Sequence, residues 1–355
     1  MSLNTKHRDY LFDNYKALLI VLVVIGHFIE PSYDNNTFLY TLKWLIVSFH
    51  MPAFIFISGY FSKRVLSITT LFKKLAIPYI VYELIYYLLY VLIIHKPTGL
   101  YLMYPKFSLW YIQALFFWRL LTPLVKKLPH YMFLSVLAGL LIGCLSLPGN
   151  FLSIPRTLVF FPFFLAGTDF SRETLTRLRC LRNQIIAVLT LAAFTAYLIL
   201  DSCHKALSPK IFYGRYNYHY LEQNPVEGIF CRLICYGIGF TMTFAALLLI
   251  SEKQTFYSYI GTRTMAVYLF HGLTYSVLKD CTNILQNIDT IPESLLLITF
   301  CAALTGIFSI PQLTTFTNMI ADMHLPSSVQ RDVWLPRSGY SFKHPLTSSL
   351  KSFSA

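Results

Sequence analysis

Two side chains able to do chemistry stand eleven positions apart in an otherwise apolar run, NYKALLIVLVVIGHF, residues 14–28. Lys16 supplies a cation, and His27 an imidazole that can take or give a proton near neutral pH. On a helix, eleven positions make three turns plus ~20°, so both side chains leave one face, roughly 16 Å apart along the axis. Ionisable groups inside an apolar span are costly and normally face the protein interior or a water-filled cavity. His27 therefore reads as a functional base, with a hydrogen-bonded structural histidine as the alternative. Lys16 taken alone also reads as an interface anchor whose head snorkels to water.

Further candidates lie in other apolar stretches. In SFHMPAFIFISGYF, residues 48–61, Pro52 cannot donate to the Ser48 carbonyl, which predicts a kink beside His50 and a polar pocket there. An ordinary kink with His50 capping the loose backbone is the alternative. Ser58 and Gly59 permit close helix packing or mark the inner end of that span. Glu83 and Arg119 sit in the next two stretches and could pair, or Arg119 could reach the inner surface and a ligand phosphate. His271, in GTRTMAVYLFHGL, and Trp110, in LWYIQALFFWRLL, are pocket candidates. Lys43 and Arg232 read as snorkelling side chains near outer helix ends. Arg64, Lys73 and Lys74 read first as topology determinants, with phosphate binding as a second task.

The elements that position these groups follow from composition. Of 355 residues, 55% are hydrophobic and 13% charged, which predicts an all-α, polytopic membrane bundle. Ten candidate spans cover about 14–30, 38–61, 75–94, 108–124, 131–147, 157–170, 184–200, 228–250, 263–279 and 294–316. Most Lys and Arg then fall in the inner segments if the N-terminus is cytoplasmic, so the net charge of +13 reads as the positive-inside rule, with no nucleic-acid partner expected. No small-residue cleavage site follows the first span, which is expected to be retained. The cysteines lack metal-ligand spacing and no metal is expected; Cys203 and Cys281 share the outer side and could pair. The expected organisation is a cytoplasmic segment 1–13, a membrane domain 14–316 and a polar, partly disordered tail 317–355. The outer loop 201–228, rich in Tyr, Asn and His, suits a sugar or else forms an interfacial aromatic belt.

NYKALLIVLVVIGH resembles the first-span signature of the integral-membrane acyltransferase type 3 family. FHMPAFIFISGYF, LWYIQALFFWRLL, FFPFFLAGTDF and IGTRTMAVYLFHG resemble its later blocks, in order, over about residues 10–320. Within the family the sequence is similar to single-domain sugar O-acetylases of the fucose 4-O-acetylase type. The resemblance implies transfer of an acyl group, usually acetyl, from cytosolic coenzyme A to a hydroxyl of an envelope or lipid-linked glycan in a bacterial cell membrane. It also implies that His27 is catalytic and Lys16 its basic partner, where the family often has arginine. No appended hydrolase-like domain is recognised, so the acceptor is expected to meet the membrane domain itself.

Those implications give a mechanism to test: His27 as the neutral base for the sugar hydroxyl, and Lys16, Arg64 and Arg119 on the acetyl-CoA donor. His50, Glu83, Trp110 and His271 are left as substrate or pocket candidates. The rival class is a polysaccharide-precursor transporter or flippase with the same polar residues lining a path; matching half-repeats, its expected sign, are not visible. A non-catalytic sensor on the same scaffold is a third reading.

Overall fold

Inside hydrocarbon a backbone must satisfy its own hydrogen bonds, and this chain does so with helices. The computed structural model describes residues 9–200 and 207–322, and no strand occurs among them. In order the helices are α1 (Tyr10–Phe28), α2 (Thr37–Tyr60), α3 (Ile68–Leu71), α4 (Ile77–Leu88), α5 (Trp110–Val125), α6 (Tyr131–Leu141), α7 (Ile154–Asp169), α8 (Arg172–Leu178), α9 (Leu181–Leu200), α10 (Pro225–Leu249), α11 (Ser258–Gly261), α12 (Thr264–Cys281), α13 (Ile291–Phe308) and α14 (Pro311–Asp322). Two π-helical stretches, Phe72–Ala76 and Leu89–Ile93, make α3 and α4 one rod, Ile68–Ile93. The protein is a polytopic helical membrane protein.

Among the described residues, seven helices are long and apolar enough to cross a bilayer. The remaining three of the ten expected spans fall on shorter or more polar helices: α5, the stretch Tyr131–Cys144, and α12. The expected span 294–316 is two helices. α13 stops at Phe308, and Pro311, which has no amide to donate, starts α14 at its first position. α14 runs past residue 316, into the stretch read as tail. The pairing of Cys203 falls outside the described residues.

Burial ranks the helices. The apolar window of α1 is 72% buried and that of α9 only 11%, so α1 is surrounded and α9 stands at the periphery. α1 packs on α2, α11, α12 and α13. Along α9 the exposed side chains include Leu181, Leu189 and Ile199, an apolar face that suits lipid.

Buried polar groups fix α1 along its length. Asn14 is fully buried and uses all its hydrogen-bonding capacity. Its amide donates to the carbonyls of Ser251 and Lys253 at 2.8 and 2.9 Å, while its oxygen accepts from Thr255 at 2.8 Å and Ser258 at 2.5 Å. Tyr15 donates to the Thr243 carbonyl of α10 at 2.8 Å. Gly261 lies so close to α1 that a Cβ there would collide with the Asp13 carbonyl.

Close approach also governs α2 and α7. A Cβ on Gly59 would strike the Phe164 carbonyl oxygen, and one on Gly167 that of Phe56. Reciprocal glycines of this kind let two backbones touch, as between membrane helices generally. Gly167→Leu should therefore lower the thermal unfolding midpoint of the detergent-purified protein through overpacking of roughly 1–3 kcal/mol or more. An unchanged midpoint would mean that the helices are free to separate there.

Candidate functional site

The two residues singled out on α1 lie at opposite ends of the bundle. At the Lys16 end, the ammonium pairs with Asp13 at 3.1 Å and sits 5.6 Å from the centre of the Phe61 ring. Phe12 stacks on Tyr60 at 4.3 Å, which holds the start of α1 against the end of α2. Beyond Phe61 the chain enters a small recess of about 100 Å³ lined by Ser62, Lys63, Arg64, Arg119, Lys126 and Thr168, among others. Four cations here face one carboxylate: Lys126 pairs with Asp169 at 2.6 Å, and Tyr131 donates to the same group at 2.8 Å. Lys63 donates to the Phe170 carbonyl. Burial, and then the charge of Lys126, hold Lys63 below the usual lysine range. Such a recess can take an oxyanion. Its volume suits a phosphate group and falls well short of the ~300 Å³ or more of pockets that enclose a whole small molecule. Arg64 and Arg119 thus meet, next to the Lys16–Phe61 contact.

At the other end, His27 is half-buried, with its ring 4.5 Å from Phe107, 5.5 Å from His271 and 6.1 Å from Tyr275. His271 is fully buried and its Nδ1 lies 2.8 Å from the Val267 carbonyl. A carbonyl only accepts, so this bond assigns the proton to Nδ1 and leaves a lone pair on Nε2. Nε2 has no partner. An orphaned acceptor beside a half-open imidazole marks a place where a hydroxyl or water would be held. His50 is fixed in the same manner, its Nδ1 2.7 Å from the Ile46 carbonyl. The observed partner is therefore the carbonyl four residues back, and α2 continues through Pro52 to Tyr60.

Glu83 pairs with Lys106 rather than with Arg119. Its carboxylate is fully buried, accepts from the Lys106 backbone at 2.7 Å and lies 3.4 Å from the Lys106 ammonium. Sequence separation hid this pairing, because Lys106 returns from the loop before α5. The bond has a local consequence. It secures the turn in which Phe107 adopts a left-handed φ of 47°, a strained conformation for a residue with a Cβ, and that turn lays the Phe107 ring against His27.

Lys43 and Arg232 are not snorkelling. Lys43 is 3% exposed, donates to the Gly26 carbonyl just before His27, and pairs with Glu30. Tyr213 donates to the same carboxylate at 2.8 Å. Arg232 is buried, donating to the carbonyls of Gly139 and Tyr216 at 3.1 and 3.0 Å. Trp110 is buried beneath the guanidinium of Arg156, 4.7 Å from its ring centre. Asn14 and Arg156 are residues a sequence reading passes over, and Lys43 is one it misplaces. For Lys43 a signal existed, since Glu30 and Lys43 flank one short turn with opposite charge.

A family model described as acyltransferase domain matches residues 9–311. Two curated relatives share a short stretch with the chain. Nodulation protein NolL of Sinorhizobium fredii is 42% identical over 62 residues, 17% of this chain and 17% of that protein. Nodulation protein NolL of Mesorhizobium japonicum is 43% identical over 61 residues, 16% of each. The match thus spans about a sixth of either relative's length. No solved structure matches.

Two outcomes follow from this geometry. Glu83→Ala leaves the enclosed Lys106 ammonium unpaired and should cost about 3 kcal/mol in unfolding experiments, with Lys106→Met restoring part of it; equal losses in single and double variants would contradict the pairing. Pyrophosphate binding to the recess should weaken as pH rises through the lowered range of Lys63, before the ~10.4 of an ordinary lysine. Lys63→Arg should move that weakening to higher pH, and a pH-independent affinity would remove Lys63 from the site.

Proposed function

The chain belongs to the integral-membrane acyltransferase type 3 family, whose model spans residues 9–311, and from that membership we propose that it moves an acetyl group from acetyl-CoA to a sugar hydroxyl of an envelope polysaccharide or lipid-linked glycan. One observation carries the reading: a single buried helix bears His27 at one end and Lys16 at the other, the latter beside a recess of Lys63, Arg64, Arg119 and Lys126. Phosphates of the donor would lie in the recess, and Lys16 would contact the donor where its pantetheine arm enters. The arm then follows the face of α1 for roughly 16 Å, three helical turns, to bring the thioester to His27.

His27 acts as general base. It takes the proton of the acceptor hydroxyl as that oxygen attacks the thioester carbonyl carbon. The C–S bond of the resulting adduct breaks, and the imidazolium returns its proton to the leaving thiolate. The products are an O-acetyl sugar and free coenzyme A. The orphaned Nε2 of His271 supports a place for the hydroxyl close to His27. Glu83, His50 and Trp110 shape that end without touching the reacting atoms. The distribution of Lys and Arg supports a cytosolic Lys16 end, hence a cytosolic donor and an acceptor arriving from the opposite side. The organisms of the two curated relatives support a bacterial cell membrane.

Membranes given radiolabelled acetyl-CoA test the reading. His27→Ala should reduce acetyl transfer by at least ~10²-fold with insertion unchanged, and Lys16→Ala should chiefly raise the donor KM. Wild-type turnover by His27→Ala would retire the mechanism. Glycan movement across vesicles without label in the glycan would favour a transporter.

A further inference from the structure

Arg156 and Arg215 stand on the His27 end without an acid between them. Among the described residues neither side chain makes a salt bridge or a hydrogen bond; each guanidinium lies over an aromatic ring, Trp110 at 4.7 Å and Tyr216 at 5.4 Å. The two arginines are brought together by Gly214, next to Arg215, which packs against Val159 and Phe160, one turn along α7 from Arg156. Glu30, an acid of this end, is already engaged by Lys43 and Tyr213.

The position of Arg156 sharpens the conflict. It lies in the first turn of α7, where the helix dipole disfavours a cation. The Ser153 hydroxyl donates to Gln113 at 2.8 Å and does not cap the helix, while the first amide, that of Ile154, donates to the Phe151 carbonyl and Pro155 has none. Two like charges, one of them at the positive end of a helix dipole, therefore lie unopposed here, and an anion would relieve both. Gly149 backs Arg215 so closely that a Cβ there would press on its side chain. Tyr216 and Tyr220, stacked at 4.3 Å with rings 7° apart, give a flat surface beside the pair. Trp110, beneath Arg156, follows Phe107 by three residues, and the Phe107 ring lies against His27.

We infer that Arg156 and Arg215 form an oxyanion subsite, so that the acceptor carries a carboxylate or phosphate on or next to the sugar that is acylated. This rests on the acyl-transfer reading for its role and on the arginine geometry for its chemistry. The carboxylate of an acidic sugar and the phosphate of a lipid-linked or phosphorylated sugar present the same recognition problem.

The test is ligand binding by the full chain in nanodiscs, read by saturation-transfer NMR, with methyl glucuronide, glucose 1-phosphate and neutral methyl glucoside. The charged probes should bind roughly tenfold tighter than the neutral one, and whichever charged probe is preferred identifies the source of the anion. Arg156→Gln and Arg215→Gln should each erase that preference while coenzyme A binding at the Lys16 end stays unchanged, which also shows that the variants are folded. Equal binding of charged and neutral probes, a preference that survives both substitutions, or no binding of any probe overturns the subsite. No turnover is involved, so absent acetyl transfer with the charge preference intact would sink the acyl-transfer reading alone.

Discussion

The constraint on which the structure depends is that α1 must be buried nearly all round while carrying polar groups at both ends. A buried helix can keep such groups only if each finds a partner or faces a ligand. Asn14 meets the first condition with four hydrogen bonds to residues 251–258, which lead into α11. Lys43 does so for the far end by seizing the Gly26 carbonyl. Held at both ends, α1 becomes a ruler, and the separation between Lys16 and His27 is fixed by helical rise. The groups left without protein partners are then informative. Among the described residues they include the Nε2 of His271, the guanidinium groups over Trp110 and Tyr216, and Arg64 and Arg119 of the recess.

The two ends differ in the anion they suit. The recess beside Lys16 gathers four cations on flexible stems around one carboxylate, an arrangement that suits a polyanionic ligand. At the His27 end the guanidiniums are stacked on rings, which limits their motion and presents a planar donor pattern. Between the ends, the wall beside His27 is aromatic: Phe107, Tyr275 and Tyr268 surround the histidine pair. In the proposed reaction water would compete with a sugar hydroxyl for the acyl group, and an aromatic lining of this kind would exclude it.

Much of this was legible in the sequence because helical periodicity is local. The shared face of Lys16 and His27 follows from their spacing, and the helical membrane class from apolar run lengths. What failed was non-local. A pair of Glu83 with Arg119 is one of two options the neighbouring stretches offer, the other being Arg119 at the inner surface, whereas the loop that returns Lys106 to Glu83 has no sequence signature. Lys43 was read as snorkelling because that is the cheapest fate of a lysine near a helix end; a buried acid–tyrosine pair at Glu30 and Tyr213 changed the balance. Arg156 was invisible as a site residue because Trp110 and Arg215 come from segments about 50 residues away on either side. The break at Ser309–Ile310 was marked by Pro311, a signal present in the sequence and passed over in favour of one long span.

A structure of the full chain with bound coenzyme A tests the central claim most directly. The account predicts phosphates among Lys63, Arg64, Arg119 and Lys126, and a sulfur that reaches past Lys16 to within ~4 Å of the His27 ring. A sulfur ending at the depth of Lys16, or a His27 ring turned toward lipid with no passage from the recess, would contradict it.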